Sequence, residues 1–348
     1  MGRGRRQVSE AQPSIGLQLV QKMGELTWDR HGPMGVANAK RNLAFRDQGK
    51  SLAALRKERL GDGDTAIVIA AGPSLKRQDP AKTLLERNYK GAIVTTESAL
   101  LYCLRQGLVP DLTVTLDPHA TRIVRWFGDP HLTRESLKAD DYFSRQDMDK
   151  AFADEMAANQ EILGLLNTYG PRIRIALSTS ASEAVVNRVL ESGMQVYWWN
   201  PMFDDPDAPD SITAGLQAMN RFPSVNAGGN VGSAAWMMAG EVLGKSKVAL
   251  TGVDFSYYDE TPHNNTQYYK EAVALVGAEN LDQVFIRLFN PHVNAWFYTD
   301  PAYMWYRESF LEMARDAEYQ TFNCTGGGIL FGDAITVCPL TEFLDKHA

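Results

Sequence analysis

Thr65-Ala-Ile-Val-Ile-Ala-Ala-Gly-Pro-Ser-Leu75 is the stretch that decides the fold of this chain. Thr65 to Ala71 carries four β-branched residues and no charge, the composition of a strand buried on both faces. It stops at Gly72-Pro73-Ser74. Gly72 permits a close backbone approach or a positive φ, Pro73 presets the next φ, and Ser74 can cap the turn that follows. Such a break gathers backbone N–H groups at the carboxyl end of a strand, where open α/β sheets hold phosphate-bearing ligands. An ordinary strand-to-helix turn has the same signature, and this stretch alone does not separate the two.

Outward from there, strands and helices alternate on short connections. Pro80–Arg87 reads as a helix, Gly91–Thr96 as a strand, Ser98–Gln106 as a helix closed by Gly107, and Asp111–Asp117 as a third strand. Arg172–Leu177, Met194–Trp199 and Lys247–Asp254 continue the series. This order predicts an α/β protein with a Rossmann-like, mostly parallel sheet flanked by helices. Ahead of it, Leu17, Val20, Met23 and Leu26 recur at helical spacing, and Ser51–Leu60 is a second amphipathic segment. Two domains are expected: a tail and helical extension over residues 1–60, its first dozen residues disordered, and an α/β domain over 61–345. The charged stretch from 131 to about 165 is expected to be a helical insertion or lid. The aromatics of 281–310 are expected in the core on base rates.

Composition narrows the class. The 348 residues carry 44% hydrophobic and 22% charged residues, an ordinary soluble balance. No run approaches a membrane span, and no apolar run follows the basic start Met1-Gly-Arg-Gly-Arg-Arg6, so neither a span nor a secretory signal is expected. Cys103, Cys324 and Cys338 fall at unrelated spacings, which predicts neither a disulfide framework nor a zinc site and fits a cytoplasmic protein. A net charge of −7 argues against a dedicated nucleic-acid surface.

The candidate chemistry collects at strand ends. Gly228-Gly229-Asn230-Val231-Gly232-Ser233 opens a helix of small residues, and its free N–H groups can hold a phosphate or carboxylate; tight helix–sheet packing is the alternative. Asp117 and Asp254 each end an apolar strand, where a carboxylate can hold a ribose hydroxyl, orient a group or cap a turn. Tyr257, Tyr258 and His263 follow Asp254: tyrosine hydroxyls can donate to a departing phosphate, and histidine can serve as general base. His119 and His292 are rival bases, whereas His31, His131 and His347 sit where no cleft signal is visible. Asn200–Asp210, with three prolines and four aspartates, reads as a solvated loop rather than a metal site. Phe322–Gly332 is a strand running into three consecutive glycines that admit either a ligand or another chain segment. No P-loop, nucleophile elbow, zinc helix or full dinucleotide fingerprint is present.

Taken together, Val68–Leu75, Gly107–Asp117, Gly228–Ser233, Leu250–Phe255 and Asn323–Ile329 occur in an order that resembles the MptE-like superfamily. That superfamily includes the archaeal 6-hydroxymethylpterin pyrophosphokinases and the motility accessory factors that glycosylate flagellin, and its core is similar to the bacterial sialyltransferases. The resemblance spans roughly residues 60–345 and leans to the motility accessory factor branch, because Leu116-Asp117-Pro118-His119 stands where the pyrophosphokinases carry an Asp-x-Asp-Gly cluster. It implies a transferase using a nucleotide-activated sugar, a CMP-linked nonulosonic acid, with a hydroxyl acceptor on protein, glycan or lipid. The alternatives it leaves are ATP-dependent pyrophosphate transfer to a pterin and a non-catalytic nucleotide-binding protein. Gly72, Pro73, Ser74, Asp117, Gly229, Asn230, Gly232, Ser233 and Asp254 then line the nucleotide pocket. Tyr257 or Tyr258 supports the leaving phosphate, and His263, or else His292, is the base. No cofactor or bound metal is implied for the sugar transferase, and magnesium accompanies only the pyrophosphokinase alternative.

Overall fold

The computed structural model of the chain describes residues 14–140 and 154–348. The tail expected over the first dozen residues lies outside the described residues. Among the described residues thirteen strands follow one another: β1 (Lys50–Ser51), β2 (Thr65–Ile69), β3 (Ala92–Thr96), β4 (Leu112–Thr115), β5 (Arg174–Ser178), β6 (Gln195–Pro201), β7 (Ser224–Val225), β8 (Lys247–Thr251), β9 (Tyr257–Tyr258), β10 (Ile286–Asn290), β11 (Ala295–Thr299), β12 (Gln320–Asn323) and β13 (Ile335–Val337). Ten of them form one parallel sheet in the order β1-β6-β5-β4-β3-β2-β8-β12-β13, with β7 beside β6. The fold is therefore α/β with a parallel central sheet, as its alternating sequence predicts.

Strand β2 is central because its alternate residues feed two cores. Ala66 and Val68 face one cluster, covered by the helices Val231–Met237 and Pro301–Asp316 through Trp236 and Phe310. Ile67 and Ile69 face the other, covered by Pro80–Glu86, Glu97–Arg105 and Leu340–His347 through Leu84, Cys103 and Phe343. All five β2 residues are buried, so the charge-free run is required by covering helices on both sides. From β2 the chain builds outward through β3, β4, β5 and β6, then returns to the other side of β2 with β8. The junction of β2 and β8 is thus the topological switch point, where open sheets leave a crevice at their carboxyl ends.

Three segments differ from their sequence reading. Ser51–Leu60 is not an amphipathic helix: β1 pairs with β6, a 3-10 turn spans Leu52–Lys57, and Leu52 and Leu55 are fully buried in the main core. Residues ahead of 61 are thereby built into the same sheet. The aromatic stretch 281–310 folds as an antiparallel sheet, β10-β11-β9, followed by the Pro301–Asp316 helix. Its Phe289 and Trp296 lie on the outer face, exposed and 5.4 Å apart ring to ring. In the stretch near 131–165, helices Arg134–Ala139 and Glu155–Tyr169 are present, and 141–153 lies outside the described residues. The second helix buries Ile162 and Leu166 against Phe127 and Val185 and is part of the covering layer. Cys324 and Cys338, far apart in sequence, end the neighbouring strands β12 and β13 with their sulfurs 3.9 Å apart and unbridged.

Removing a fully buried leucine loses its transfer free energy and leaves a cavity, at a cost of about 2–5 kcal/mol. Leu55→Ala is expected to lower stability by that amount in urea unfolding followed by circular dichroism, and a change below about 0.5 kcal/mol would mean that the segment before residue 61 is an appendage.

Candidate functional site

At the switch point the ends of β2 and β8 stay side by side beyond the sheet. Ala70 donates its N–H to Thr251 O at 2.9 Å, and Gly72 to Gly252 O at 2.8 Å. Ser74 then donates twice to Asp254 Oδ2, from its hydroxyl at 2.8 Å and its N–H at 3.3 Å. Gly72 is glycine because of this closure: a Cβ there would collide with Asp254 Oδ2 and Gly252 O. The space that sequence reading reserves for a phosphate at Gly72 is filled by the Asp254 side chain. Asp254 is fully buried, its Oδ1 has no partner among the described residues, and burial pushes its pKa up to about 7 against the pull of Ser74.

The other glycine turn is built differently. Gly228 and Gly229 take φ of 54° and 80°, a conformation glycine adopts without cost. Asn230 Oδ1 accepts from Ser233 N at 2.9 Å while Asn230 Nδ2 donates to Ser233 Oγ at 2.8 Å, a reciprocal cap. Both side chains are thereby committed to the helix start. Gly232 is buried, and a Cβ there would press on Asn230 Oδ1 at 3.2 Å and touch Ala70 Cβ at 3.9 Å. Ala70 belongs to the end of β2, so the turn faces the switch point.

Tyr257 and Tyr258 point to opposite faces of the small sheet. Tyr258 faces the crevice: its hydroxyl lies over Gly327, and the Arg77 guanidinium sits 3.7 Å from its ring centre. Burial, with Asp254 adding, pushes its pKa up to about 12, so it stays a neutral donor. Tyr257 is turned away, donating to Asp300 Oδ2 at 3.1 Å and accepting from Gln267 N at 3.0 Å. His263 is on that far face too, stacked on Phe285 at 4.5 Å and edge-on to Tyr298 at 5.0 Å. His292 is exposed in the β10–β11 turn, 5.8 Å from the Phe331 ring. Among the described residues neither histidine hydrogen-bonds to Ser74 or Asp254. The three glycines 326–328 meet another chain segment: Gly328 lies against the Asp254 backbone, and Ile329 N donates to Asp254 O at 2.9 Å.

One residue that sequence reading passed over and one helix whose place it did not give enter here. Glu97 follows Thr96 at the end of β3, fully buried, with Oε2 lacking a partner among the described residues. Burial pushes its pKa up to about 8, and the neighbouring Asp117 adds to the rise. An acid in the first turn of a helix is ordinary, which is why it carried no signal. The helix Met23–Asn42 is the second surprise. Its residues Gly24, Trp28, Gly35, Asn38 and Asn42 form one stripe, of which the first meets the Pro301–Asp316 helix and the others the loops after the strands. Gly24 lies under Trp305, Trp28 meets Phe203 edge-on at 5.7 Å, and Gly35 sits on Ser180 and Phe203. Asn38 Nδ2 donates to Pro118 O at 3.2 Å and Ser180 O at 2.8 Å, and Asn42 Nδ2 to Thr179 O and Ala181 O at 2.8 Å each. The amino-terminal helix is a roof over the ends of β4 and β5. Asp117 lies beneath it, accepting from His119 N at 2.7 Å, and His119 Nδ1 accepts from Thr121 N at 3.2 Å. Asp204 is explained as a cap, accepting from Ser211 Oγ, Ile212 N and Thr213 N.

A parallel sheet with polar groups gathered at its switch point defines an open, Rossmann-like α/β protein. Residues 37–128 match the family described as 6-hydroxymethylpterin diphosphokinase MptE-like, so the segment holding Gly72–Ser74, Glu97 and Asp117 is MptE-like in sequence. No curated protein matches the chain significantly. Among solved structures, the MAf glycosyltransferase from Magnetospirillum magneticum AMB-1 is similar at a TM-score of 0.48 and 14% identity, over 83% of this chain. The match covers 37% of that protein's length.

Burial favours the protonated form of Asp254 and Glu97 in the folded state, whereas in the unfolded chain both carboxyls ionise in the ordinary carboxylate range. The native state therefore binds more protons than the unfolded state above the ordinary carboxylate range, and stability falls as pH rises toward about 7 and 8. Urea midpoints are expected to decline from pH 5 to pH 8, and Asp254→Asn is expected to flatten the decline. An unchanged slope in Asp254→Asn would show that this carboxyl is ionised throughout.

Proposed function

We propose that this chain is a glycosyltransferase that binds a nucleotide-activated sugar, a CMP-linked nonulosonic acid, in the switch-point crevice and passes the sugar to a hydroxyl acceptor. The observation that carries the reading is Tyr258, a hydroxyl kept protonated beside Asp254 and over the Gly326–Gly328 turn. A leaving phosphate needs hydrogen-bond donors aimed at its developing charge, and a neutral phenol supplies one. Gly232, beside Ala70 at the end of β2 with the helix N–H groups behind it, is the phosphate or carboxylate position. Gly72, Pro73 and Ser74 support the pocket by holding Asp254 rather than by touching phosphate. The transfer forms a bond from the acceptor oxygen to the anomeric carbon and breaks the sugar–phosphate bond, so a base must take the acceptor proton. His119 is the earlier candidate closest to Asp117, while His263 and His292 remain candidates only if their segment moves.

A second reading, diphosphate transfer from ATP to a pterin, is favoured by the family description matched over residues 37–128. Among the described residues no three His, Cys, Asp or Glu side chains group to hold a metal ion. In that reading magnesium would accompany ATP. Among the described residues no helix is long and apolar enough to cross a membrane, and the acceptor, a protein, glycan or lipid, is identified by neither reading. A cytoplasmic location is proposed with the first reading.

A ligand that binds the folded state raises its melting temperature. In a thermal-shift screen of CMP, CDP, UDP, GDP and ATP, CMP is expected to stabilise the protein equally in EDTA and in magnesium. Gly232→Val is expected to abolish that shift while its own melting temperature stays within a few degrees of the parent, because the added methyls enter the crevice. Stabilisation by ATP with magnesium alone would reverse the ranking, and a full CMP shift in Gly232→Val would remove that turn from the site.

A further inference from the structure

We propose that Cys324 and Cys338 are a modification site: a pair of thiols that peroxide closes to a disulfide and a dithiol reductant reopens. The proposal is independent of the reaction assigned to the crevice. Register sets the pair. In the parallel ladder of β12 and β13 the last partners are Asn323 and Val337, so Cys324 and Cys338 follow side by side on one face. The backbone is still held at that level, because Cys338 donates its N–H to Asn323 O at 3.2 Å and Cys324 to Leu250 O at 2.8 Å. The sulfurs face each other at 3.9 Å across 14 positions of chain. Neighbouring strands lie about 4.8 Å apart, inside the Cα spacing that a disulfide accepts. Closing the bond brings the sulfurs to about 2 Å. The strand that can follow is β13, which pairs only with β12 among the described residues.

The two thiols are unlike, as an attacking and a resolving thiol must be. Cys338 is half-buried, whereas Cys324 is buried in the cluster that holds Phe322 and Phe343. Hydrogen bonding from Cys324 draws the Cys338 pKa below its ordinary value, against the effect of burial. The same shared proton, with burial adding, pushes Cys324 up and keeps it a thiol. The thiolate is the reactive form, and here it falls on the more accessible member. Cys338 Sγ attacks one peroxide oxygen, the O–O bond breaks, and the departing hydroxide takes up the proton that Cys338 gave to solvent. Cys324 Sγ then attacks the Cys338 sulfenic sulfur, and its own proton leaves with the sulfenic hydroxide as water. Two thiols and one hydrogen peroxide thus give one disulfide and two waters. Dithiothreitol reverses this by exchange and becomes the cyclic disulfide.

The loop that the bridge closes is the one lying on the crevice. Between the cysteines run Thr325, whose Oγ1 accepts from Val253 N at 3.3 Å, and Gly327, beside the Tyr258 hydroxyl. Gly328 follows against the Asp254 backbone, and Ile329 donates its N–H to Asp254 O at 2.9 Å. Joining both ends of that loop restricts its opening. Cys103, fully buried, serves as the internal control.

The full chain, reduced and then treated with hydrogen peroxide, tests the site. Thiols counted in denaturant are expected to fall from three to one and to return with dithiothreitol. Mass spectrometry is expected to find the Cys324 and Cys338 peptides joined and Cys103 alkylated. Hydrogen exchange over residues 325–337 is expected to slow several-fold in the oxidised protein and to recover on reduction. Cys338→Ser is expected to keep both its thiols under the same oxidant and to show no slowing. Three thiols retained in the parent, or Cys338 carried to the sulfinic acid with Cys324 still alkylated, would overturn the site. A bridge that leaves exchange over 325–337 unchanged would overturn its hold on the crevice loop.

Discussion

The hydrogen bonds from Ser74 to Asp254 are the interaction on which the rest of the molecule depends. They join the ends of β2 and β8, the two strands between which the direction of sheet growth reverses. Around them the chain has removed every competing atom: Gly72 and Gly252 lack side chains where the two loops cross, and Gly328 lets the late glycine turn lie on the Asp254 backbone. A carboxyl enclosed this way is costly to ionise, so the fold stores a proton at the base of its crevice. The same desolvation acts on Glu97 one strand further out.

On that base stand two walls of different origin. One is the small β10-β11-β9 sheet, which delivers Tyr258 to the crevice and turns Tyr257 and His263 into an aromatic cluster with Phe285 and Tyr298. A two-residue strand is enough to separate neighbours in sequence, because successive side chains project to opposite faces. The other wall is the roof helix, held by buried asparagines rather than by an apolar stripe. Asparagine amides that each satisfy two carbonyls fix orientation more sharply than hydrophobic contact does, since hydrogen bonds are directional.

Sequence by itself determined the sheet. Buried parallel strands need uninterrupted apolar runs, and each run from Thr65 to Lys247 was visible for that reason, as were the glycine breaks and the aspartates at strand ends. The order of those motifs was enough to state the family resemblance that residues 37–128 bear out. Tertiary structure alone decided which strand ends meet. Pairing of β2 with β8 joins residues about 180 positions apart, and no local pattern encodes such a distance. It therefore decided that Gly72 yields its space to Asp254, that Tyr258 rather than Tyr257 reaches the crevice, and that Cys324 adjoins Cys338. It also decided the roof. A helix whose inner face is mostly glycine and asparagine, with Trp28 as its one large apolar residue, has no hydrophobic period to read, so its seat over the ends of β4 and β5 was decided only when the fold brought the loop carbonyls to Asn38 and Asn42.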